Sequence, residues 1–478
     1  MPETNSAWSL GFTTLEREVD RLPLEVAGAL PPWLTGSLLR TGPAKFEVGS
    51  DAYAHWFDGL AMLHAFDFSG GAVHYTNRFL HSKSYREAAR KGRISRGEFM
   101  TDPCRTIFGR VMAIFDRKPT DNANVNVMQL ANQIVAMTET PMPICFDPLT
   151  LETRGRLDFS PSIKGQISTA HPHNDGERSY SYIIEIGRRS VYRVFADESG
   201  TQRILAELPV DQPSYMHSFG MSERYLVLTE FPLRVNPLRL AFSGKPFITN
   251  YRWRPSLGTQ FTVIDKASGA VVARARAAPC FSFHHVNAYE ANGALLIDLL
   301  AYPDAQIIED LRLDRLRSGA AVNATSTLTR FRIPLRSTRA EAVEIEHEPL
   351  CDTRIELPRI DYSRRAGKPH RCVWGVAQSA TERFLDTITK IELSAAEPAT
   401  VKRWARPGAF PGEAVFVARP FGMEEDDGVL LSVVLDVDAR TSFLLVLNAA
   451  TLDELARAWV PHHIPFGFHG SYFSNLPN

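Results

Sequence analysis

Several features that mark other classes of protein are scarce in this chain. Its 53 Lys and Arg residues nearly balance its 54 Asp and Glu residues, so the formal net charge of the 478-residue chain is -1. Such a chain has no overall field that attracts a polyanion, and nucleic acid is therefore not an expected partner. Since no run of about eighteen apolar residues occurs, we also expect no membrane-spanning helix.

Cysteine is scarce as well. The 5 cysteines lie far apart, are odd in number and include no C-x-x-C pair. This pattern indicates neither a disulfide framework nor a thiolate zinc site, so we expect reduced thiols. The first residues include an early acid and lack both a basic stretch and an apolar run, which predicts a cytoplasmic protein.

A short theme recurs in what remains: an apolar strand, an Asp or Asn, two or three turn residues and another apolar strand. It occurs at Asp147, Asp197, Asp265 and Asn448. The side chain opens a turn by bonding to its own backbone, and the flanking β-branched and aromatic residues favour strands. Hairpins repeated at intervals of about 40 to 70 residues are typical of β-propeller blades. A large β-sandwich is the alternative, and since no linker divides the chain, we expect one domain over residues 1–478.

Four histidines have local contexts suited to metal ligands: His171, His217, His284 and His469. A lone histidine is more often structural, but neutral imidazoles suit iron, zinc and copper, and these four share strand-like surroundings. Because they span about 300 residues, only a closed fold that gathers distant strands could bring them together. Neighbouring side chains on a strand point to opposite faces, so His285 should not join His284 at the site.

An imidazole ligand usually donates its second N–H to a carboxylate. Three glutamates lie in apolar contexts where a solvated carboxylate is unexpected: Glu139, Glu356 and Glu413. They are candidates for this supporting role, with structural ion pairing as the alternative. We expect His173, His462 and His463 to lie outside the site.

Two segments differ from the strand pattern. Apolar residues at helical spacing follow Pro103, and residues 231–264 contain five basic residues without one Asp or Glu. A basic and apolar surface suits an anionic bilayer, although packed loops with solvated arginines are the alternative. The candidates for a membrane-facing mouth are Cys104, Ile107, Phe108, Val111, Phe115, Leu238, Leu240 and Phe242.

Three stretches give the chain a specific resemblance. Residues 34–43 (LTGSLLRTGP), 55–64 (HWFDGLAMLH) and 466–470 (FGFHG) are similar to motifs of the carotenoid cleavage oxygenase family, also called the retinal pigment epithelium isomerase family. The resemblance extends over nearly the whole chain. It implies a seven-bladed β-propeller with a helical and loop cap. It also implies iron(II) held by His171, His217, His284 and His469, with Glu139, Glu356 and Glu413 behind them.

Two further stretches refine the resemblance. Residues 101–108 are similar to a Pro-Asp-Pro-Cys segment that lies near the tunnel mouth in animal members, and residues 121–127 resemble their first inner strand. Val125 stands where some relatives have a Thr that crowds an open iron position, and Thr138 is expected nearby. The departure at Val125 bears on how dioxygen reaches the metal.

The resemblance implies a dioxygenase that uses iron(II) and dioxygen to cleave one double bond of a carotenoid or apocarotenoid into two carbonyl products. The expected partners are a lipophilic polyene and the inner face of a membrane, with no obligatory protein partner. Stilbene cleavage is one alternative, for which Tyr85 could supply a phenol-activating group, although no lysine partner is evident. Retinoid isomerohydrolysis and a non-catalytic propeller scaffold are the others.

Overall fold

The fold is a seven-bladed β-propeller, as the resemblance implied. The computed structural model describes residues 6–102, 120–159, 162–323, 325–335, 342–379, 382, 384–394 and 398–476. Within these ranges the main sheets number seven, each with four to six strands and almost entirely antiparallel. We number these sheets as blades 1 to 7 and give their strands from the axis outwards.

Blades 1 to 3 come first around the ring. Blade 1 contains Gly470–Phe473, Gly36–Lys45, Leu60–Ser69, Ala72–Phe79 and Val19–Pro23. Blade 2 contains Asn126–Leu130, Gln133–Met137, Ile144–Phe146 and Thr153–Arg156. Blade 3 contains Ile167–Ser168 and His173–Asn174, then Ser179–Glu185, Ser190–Glu198 and Thr201–Val210.

Blades 4 to 7 complete the ring. Blade 4 contains Gly220–Met221, Tyr225–Glu230, Thr259–Asp265, Val271–Ala277 and Val343–Glu344. Blade 5 contains His285–Ala291, Ala294–Ala301, Thr327–Pro334 and His347–Arg354. Blade 6 contains Glu356–Arg359, Cys372–Ala377, Thr387–Glu392 and Thr400–Ala405. Blade 7 contains Ala409–Pro411 and Val415–Ala418, then Gly428–Asp436, Thr441–Asn448, Glu454–Trp459 and Val26–Gly28.

Strands from both ends of the chain share one blade, which closes the ring. Gly470–Phe473 pairs antiparallel with Gly36–Lys45, with Leu39 opposite Ser471. This pairing joins the last part of the chain to the first and so closes the ring of blades.

The recurrent Asp or Asn turns are confirmed, and each joins the third strand of a blade to the fourth. The Asp147 Oδ1 atom accepts hydrogen bonds from the backbone N–H groups of Leu149 and Thr150, at 2.9 and 3.0 Å. The Asn448 side chain does the same for the second and third residues after it, as Asp265 does. Asp197 accepts from the N–H of Gly200 at 3.1 Å. The sequence repeat is therefore the outer hairpin of blades 2, 3, 4 and 7.

Short helices and two small sheets lie outside the blades. The α-helices are α1 (Lys83–Lys91), α2 (Pro237–Phe242), α3 (Gln306–Asp310), α4 (Leu313–Arg317) and α5 (Tyr362–Arg365). The 3-10 helices are Ala7–Phe12, Trp56–Asp58, Ile248–Asn250 and Pro255–Leu257, and the small sheets pair Leu233–Val235 with Tyr251–Trp253 and Glu47–Val48 with Asp51–Ala52. No helix in these described ranges is both long and apolar enough to cross a bilayer.

Local hydrogen bonds fix where helix α1 begins and ends. It begins where the Ser82 side chain accepts a hydrogen bond from the N–H of Tyr85, and it ends at Gly92, whose φ of 61° suits glycine. The Asp121 carboxylate accepts from the N–H groups of Lys83 and Ser84. This contact joins helix α1 to the segment that leads into the inner strand of blade 2, Asn126–Leu130.

The expected membrane-facing residues fall in two places. Cys104, Ile107, Phe108, Val111 and Phe115 lie outside the described residues. Helix α2 carries the other three: Leu238 and Phe242 are 66% and 68% exposed, whereas Leu240 is half-buried against the core. The described cysteines, Cys145, Cys280, Cys351 and Cys372, are free thiols.

Candidate metal centre

The four candidate histidines stand at the inner strands of four blades. His284 and His469 immediately precede the inner strands of blades 5 and 1, and His217 lies three residues before that of blade 4. His171 lies between the two short inner strands of blade 3. The inner strands of a propeller converge on its axis, so residues at these positions come together.

The ring nitrogens of these histidines meet closely. The Nε2 atoms of His171 and His217 are 2.9 Å apart, and those of His284 and His469 are 3.1 Å apart. One potential ligand atom from each of the four lies within 4.8 Å of the others. His171 is half-buried and the other three are buried.

A glutamate supports each of the three buried rings. His217 donates from Nδ1 to Glu139 at 2.7 Å, and the Tyr215 hydroxyl donates to the same carboxylate oxygen at 2.9 Å. On the next blade, His284 donates to Glu356 at 2.6 Å, and the Tyr302 hydroxyl donates to the other oxygen of that carboxylate, also at 2.6 Å. Each ring is therefore held in one orientation by a carboxylate that is itself held by a phenol.

The third pair has an arginine in place of a phenol. His469 donates from Nδ1 to Glu413 at 2.7 Å, and the Arg359 guanidinium donates two hydrogen bonds to that carboxylate, at 2.8 and 2.9 Å. The N–H of Gly470 donates to Glu413 as well, at 2.9 Å. No carboxylate supports His171 within the described ranges; its backbone N–H donates to the Thr169 hydroxyl instead.

The hydrogen bonds to glutamate show that a cation fits between the rings. A carboxylate only accepts, so the proton of each supported imidazole is on Nδ1 and its Nε2 atom presents a lone pair. The Nε2 lone pairs of His284 and His469 then face each other at 3.1 Å without a proton between them. A metal ion between them would remove this repulsion.

The spacing also indicates the geometry that fits. Two ligands at right angles, each about 2.1 Å from a metal, lie about 3.0 Å apart, whereas a tetrahedral pair lies about 3.4 Å apart. The Nε2 separations in the two pairs, 2.9 and 3.1 Å, are nearer to the right-angled value. Four nitrogens in that arrangement leave up to two positions of an octahedron open.

Burial and nearby charges favour neutral imidazoles and ionised carboxylates here. Burial, opposed by Glu413, lowers the pKa of His469 to about 4. Burial and the three neighbouring histidines lower the pKa of His171 well below its ordinary value. Burial alone would raise the pKa of Glu413, but Arg359 and His469 outweigh it and lower that pKa. Burial alone would also raise the pKa of Glu356, but His284 and the hydrogen bond from Tyr302 outweigh it and lower that pKa.

A cavity of about 930 Å³ opens beside the four rings. Its wall includes the candidate ligands His217, His284 and His469 and many apolar and aromatic side chains: Trp56, Phe57, Phe99, Ile167, Ile186, Leu240, Phe247, Phe283, Leu311, Phe384, Leu385 and Phe468. A cavity of this size and lining suits a long apolar molecule.

A series of aromatic rings leads from the candidate ligand His217 to Phe247, which follows helix α2 in the chain. The ring of His217 is 5.5 Å from Phe283, which is 5.7 Å from Phe57. Phe57 is 5.3 Å from Phe99, and Phe99 is 6.3 Å from Phe247. Residues of α2, including Leu240, complete the wall at that end.

Val125 and Thr138 lie on the wall of this cavity, beside the histidines. Both are 8% exposed. The Val125 carbonyl accepts a hydrogen bond from the N–H of His469 at 3.2 Å, so its backbone is tied directly to a candidate ligand. Its side chain has no hydrogen-bonding group, so it can affect this space only by its shape.

Several other sequence expectations have clear outcomes. His285 bonds to Ser218 and Thr229 instead of joining His284, as strand alternation predicted. His173 bonds to Tyr362 and to the Phe219 carbonyl, outside the cluster. Tyr85 stacks on Phe79 and His81 and is absent from the described cavity wall, so the idea that it activates a phenol near the metal is wrong.

Sequence reasoning missed the groups that hold the glutamates. Arg359 is on the same inner strand as Glu356, and Tyr215 lies two residues before His217. Alternation along a strand could have suggested Tyr215 as a neighbour on the same face. Nothing local could have paired Arg359 with Glu413, because they come from different blades.

Comparisons with known proteins agree on one family. The family model described as "Retinal pigment epithelial membrane protein" matches residues 12–474. The mitochondrial carotenoid-cleaving dioxygenase of Macaca fascicularis is 35% identical, over 96% of this chain and 93% of the relative. The carotenoid isomerooxygenase of Galleria mellonella is 35% identical, over 95% and 94% of the two chains. The solved structure of a mutant Synechocystis apocarotenoid oxygenase is similar with a TM-score of 0.86 and 28% identity, over 98% of both chains.

Proposed function

Because this chain belongs to the carotenoid cleavage oxygenase family, which the retinal pigment epithelial membrane protein model describes, we propose that it is an iron(II)-dependent dioxygenase. Its substrate would be a carotenoid or apocarotenoid, cleaved at one double bond to two carbonyl products. The single observation that carries the proposal is the convergence of four imidazole nitrogens at the end of an apolar cavity. Iron(II) held there by His171, His217, His284 and His469 would supply the activation of dioxygen.

The residues behind the histidines would keep the site ready to bind the metal. Glu139, Glu356 and Glu413 hold three rings with their Nε2 lone pairs directed at the centre. Such supporting carboxylates fix ring orientation and raise the basicity of the ligand. The histidines then need little rearrangement to hold the ion.

The cavity wall would position the polyene. The rings of Phe57, Phe99 and Phe283 line the route between the histidines and α2, so a rigid conjugated chain can lie along them. An apolar wall excludes water and holds one double bond near the metal centre. Which bond is cleaved would then depend on the depth to which the chain enters.

Uptake of such a substrate from a membrane surface is supported by helix α2. Leu238 and Phe242 are exposed, and Arg239 and Lys245 lie nearby in the sequence. Because Leu240 of the same helix lines the cavity, a polyene could enter from lipid without crossing water. We propose peripheral association with the inner face of a membrane.

The test is to purify the protein, measure its iron content and incubate it with carotenoids, apocarotenals and resveratrol under labelled dioxygen. We expect about one iron per chain and two carbonyl products from a polyene, identified by mass spectrometry. His217→Ala should lose both iron and turnover, while the matched control His463→Ala, at a histidine bonded to Thr13, should retain both. Faster turnover of resveratrol, product formation without dioxygen from a retinyl ester, or a folded iron-free protein would each contradict the proposal.

A further inference from the structure

The wall of the cavity includes several charged side chains among its apolar ones. One of them, Glu98, is 6% exposed. The Thr120 hydroxyl donates to its Oε1 atom at 2.9 Å. Among the described residues, its Oε2 atom has no hydrogen-bond partner.

Two buried acids near Glu98 show the contrast. Asp58 accepts from the N–H of Met100 at 3.0 Å and from the Thr101 hydroxyl at 2.5 Å. Asp121 accepts from two N–H groups at the start of helix α1 and from the Ser84 hydroxyl. Both acids have structural roles that use both of their oxygens. Within the described residues, by contrast, Glu98 uses only one of its two oxygens in a side-chain hydrogen bond, which leaves the other available to a ligand.

Glu98 lies beside the route of the substrate and is not part of the metal centre. The Thr120 carbonyl accepts a hydrogen bond from the Thr140 hydroxyl at 2.8 Å, and Thr140 follows Glu139 directly. The next residue, Phe99, belongs to the series of rings that leads to the histidines. Glu98 is therefore placed on the cavity wall, beside the aromatic rings and without a hydrogen bond to any of the four histidines among the described residues.

The surroundings of Glu98 favour a neutral carboxyl group. Burial, together with the charges of Asp58 and Asp121, raises the pKa of Glu98 well above its ordinary value, although the hydrogen bond from Thr120 opposes this. A neutral carboxyl can donate a hydrogen bond to a carbonyl or accept one from a hydroxyl. Its cost of burial is also far smaller than that of a carboxylate.

We propose that Glu98 is a specificity-determining residue that binds a hydroxyl or carbonyl oxygen at one end of the polyene. This inference rests on the proposed function, because that function identifies the ligand as a polyene. The preferred substrates would be oxygenated polyenes, because a hydrocarbon offers no group that could bond to the second oxygen of the Glu98 carboxyl. Sites built to bond a polar group discriminate strongly against analogues that lack it.

The experiment compares three substrates of the same carbon skeleton: an apocarotenal, its alcohol and the hydrocarbon that ends in a methyl group. For the wild-type iron-loaded enzyme, we expect kcat/KM to be about tenfold higher for the two oxygenated substrates. Glu98→Met, which is similar in length but cannot bond, should abolish most of this preference. Glu98→Gln, which can still donate and accept, should retain it.

A matched control is available away from the cavity. Glu207 on blade 3 is paired with Arg193 at 2.6 Å and is not on the described cavity wall, so Glu207→Gln should leave the substrate ratio unchanged. Binding is measured in parallel by quenching of tryptophan fluorescence, since Trp56 is on the cavity wall. Binding that prefers oxygenated polyenes without any turnover would overturn the proposed function and support this inference.

Other outcomes would overturn the inference itself. The inference is wrong if the wild-type enzyme binds and cleaves the hydrocarbon as well as the aldehyde. This result needs no variant, so it counts even if Glu98→Met does not fold. The inference is also wrong if Glu98→Met, with normal iron content, lowers kcat/KM for all three substrates by the same factor.

Discussion

Replacing Glu413 by Gln should separate the two tasks of this carboxylate, which supports a metal ligand and neutralises an arginine. Glu413 is 1% exposed and accepts four hydrogen bonds, from His469, Gly470 and twice from Arg359. A glutamine keeps one acceptor oxygen and turns the other position into a donor. At least one of the bonds from Arg359 or Gly470 must then be lost.

The expected magnitudes follow from these contacts. Loss of a supporting carboxylate typically weakens metal affinity by about tenfold to a hundredfold. A bond between charged groups contributes about 1.5 to 3 kcal/mol, and leaving the Arg359 charge without its partner adds a further cost. The Arg359 side chain is 27% exposed, so it can partly turn to water. We therefore expect the free energy of unfolding of the iron-free protein to fall by about 2 to 3 kcal/mol.

Glu139→Gln is the matched control, because Glu139 supports His217 without an arginine. It should weaken iron binding similarly but cost only about 1 kcal/mol of stability. The assays are chelator competition for iron and denaturant unfolding of the iron-free variants. Adding Arg359→Met to Glu413→Gln should recover part of the stability and none of the iron affinity. Wild-type iron retention in Glu413→Gln, or equal stability losses in the two single variants, would refute this reasoning.

Two further predictions concern pH and membranes. The pKa of His469 is lowered to about 4 by burial, below its ordinary value, so the unfolded chain binds more protons and the iron-free protein should lose stability as pH falls from about 6.5 towards about 4. Unfolding curves that do not change across this range would contradict that assignment. Leu238→Asp with Phe242→Asp should lower co-sedimentation with anionic vesicles by about tenfold or more without changing the melting temperature, because both side chains are exposed. Arg403→Asp, at a half-exposed strand of blade 6 with no apolar exposed neighbour in the sequence, is the charge control, and equal losses in both variants would argue against α2 as the membrane contact.

Part of the site could be predicted because local sequence carries its signal. The turns at Asp147, Asp265 and Asn448 formed as predicted, since an Asx side chain that bonds its own backbone needs nothing from the rest of the fold. The separation of His284 from His285 followed from strand alternation alone. The metal-binding role of the histidines remains a prediction, although the structure brings their nitrogens together.

Other features depend on pairs of residues that lie far apart in the chain, so no local pattern predicts them. Arg359 and Glu413 are 54 residues apart and meet only because blades 6 and 7 are adjacent. Tyr85, considered as a group that could activate a substrate phenol in stilbene cleavage, stacks on His81 and is not on the described cavity wall. No local pattern reports which face of a helix or loop points into a cavity.

Residue types and their spacing were enough to predict repeated hairpins, to favour a propeller over a β-sandwich, and to identify a set of imidazoles suited to a metal. Their chemistry is local, because turns, strand alternation and ligand types are properties of a few neighbouring residues. Closure of the ring decided the rest: the distances between the Nε2 atoms, the support of each ring and the position of Glu98 on the substrate route. These depend on contacts between blades, and such contacts exist only once distant strands have packed around a common axis.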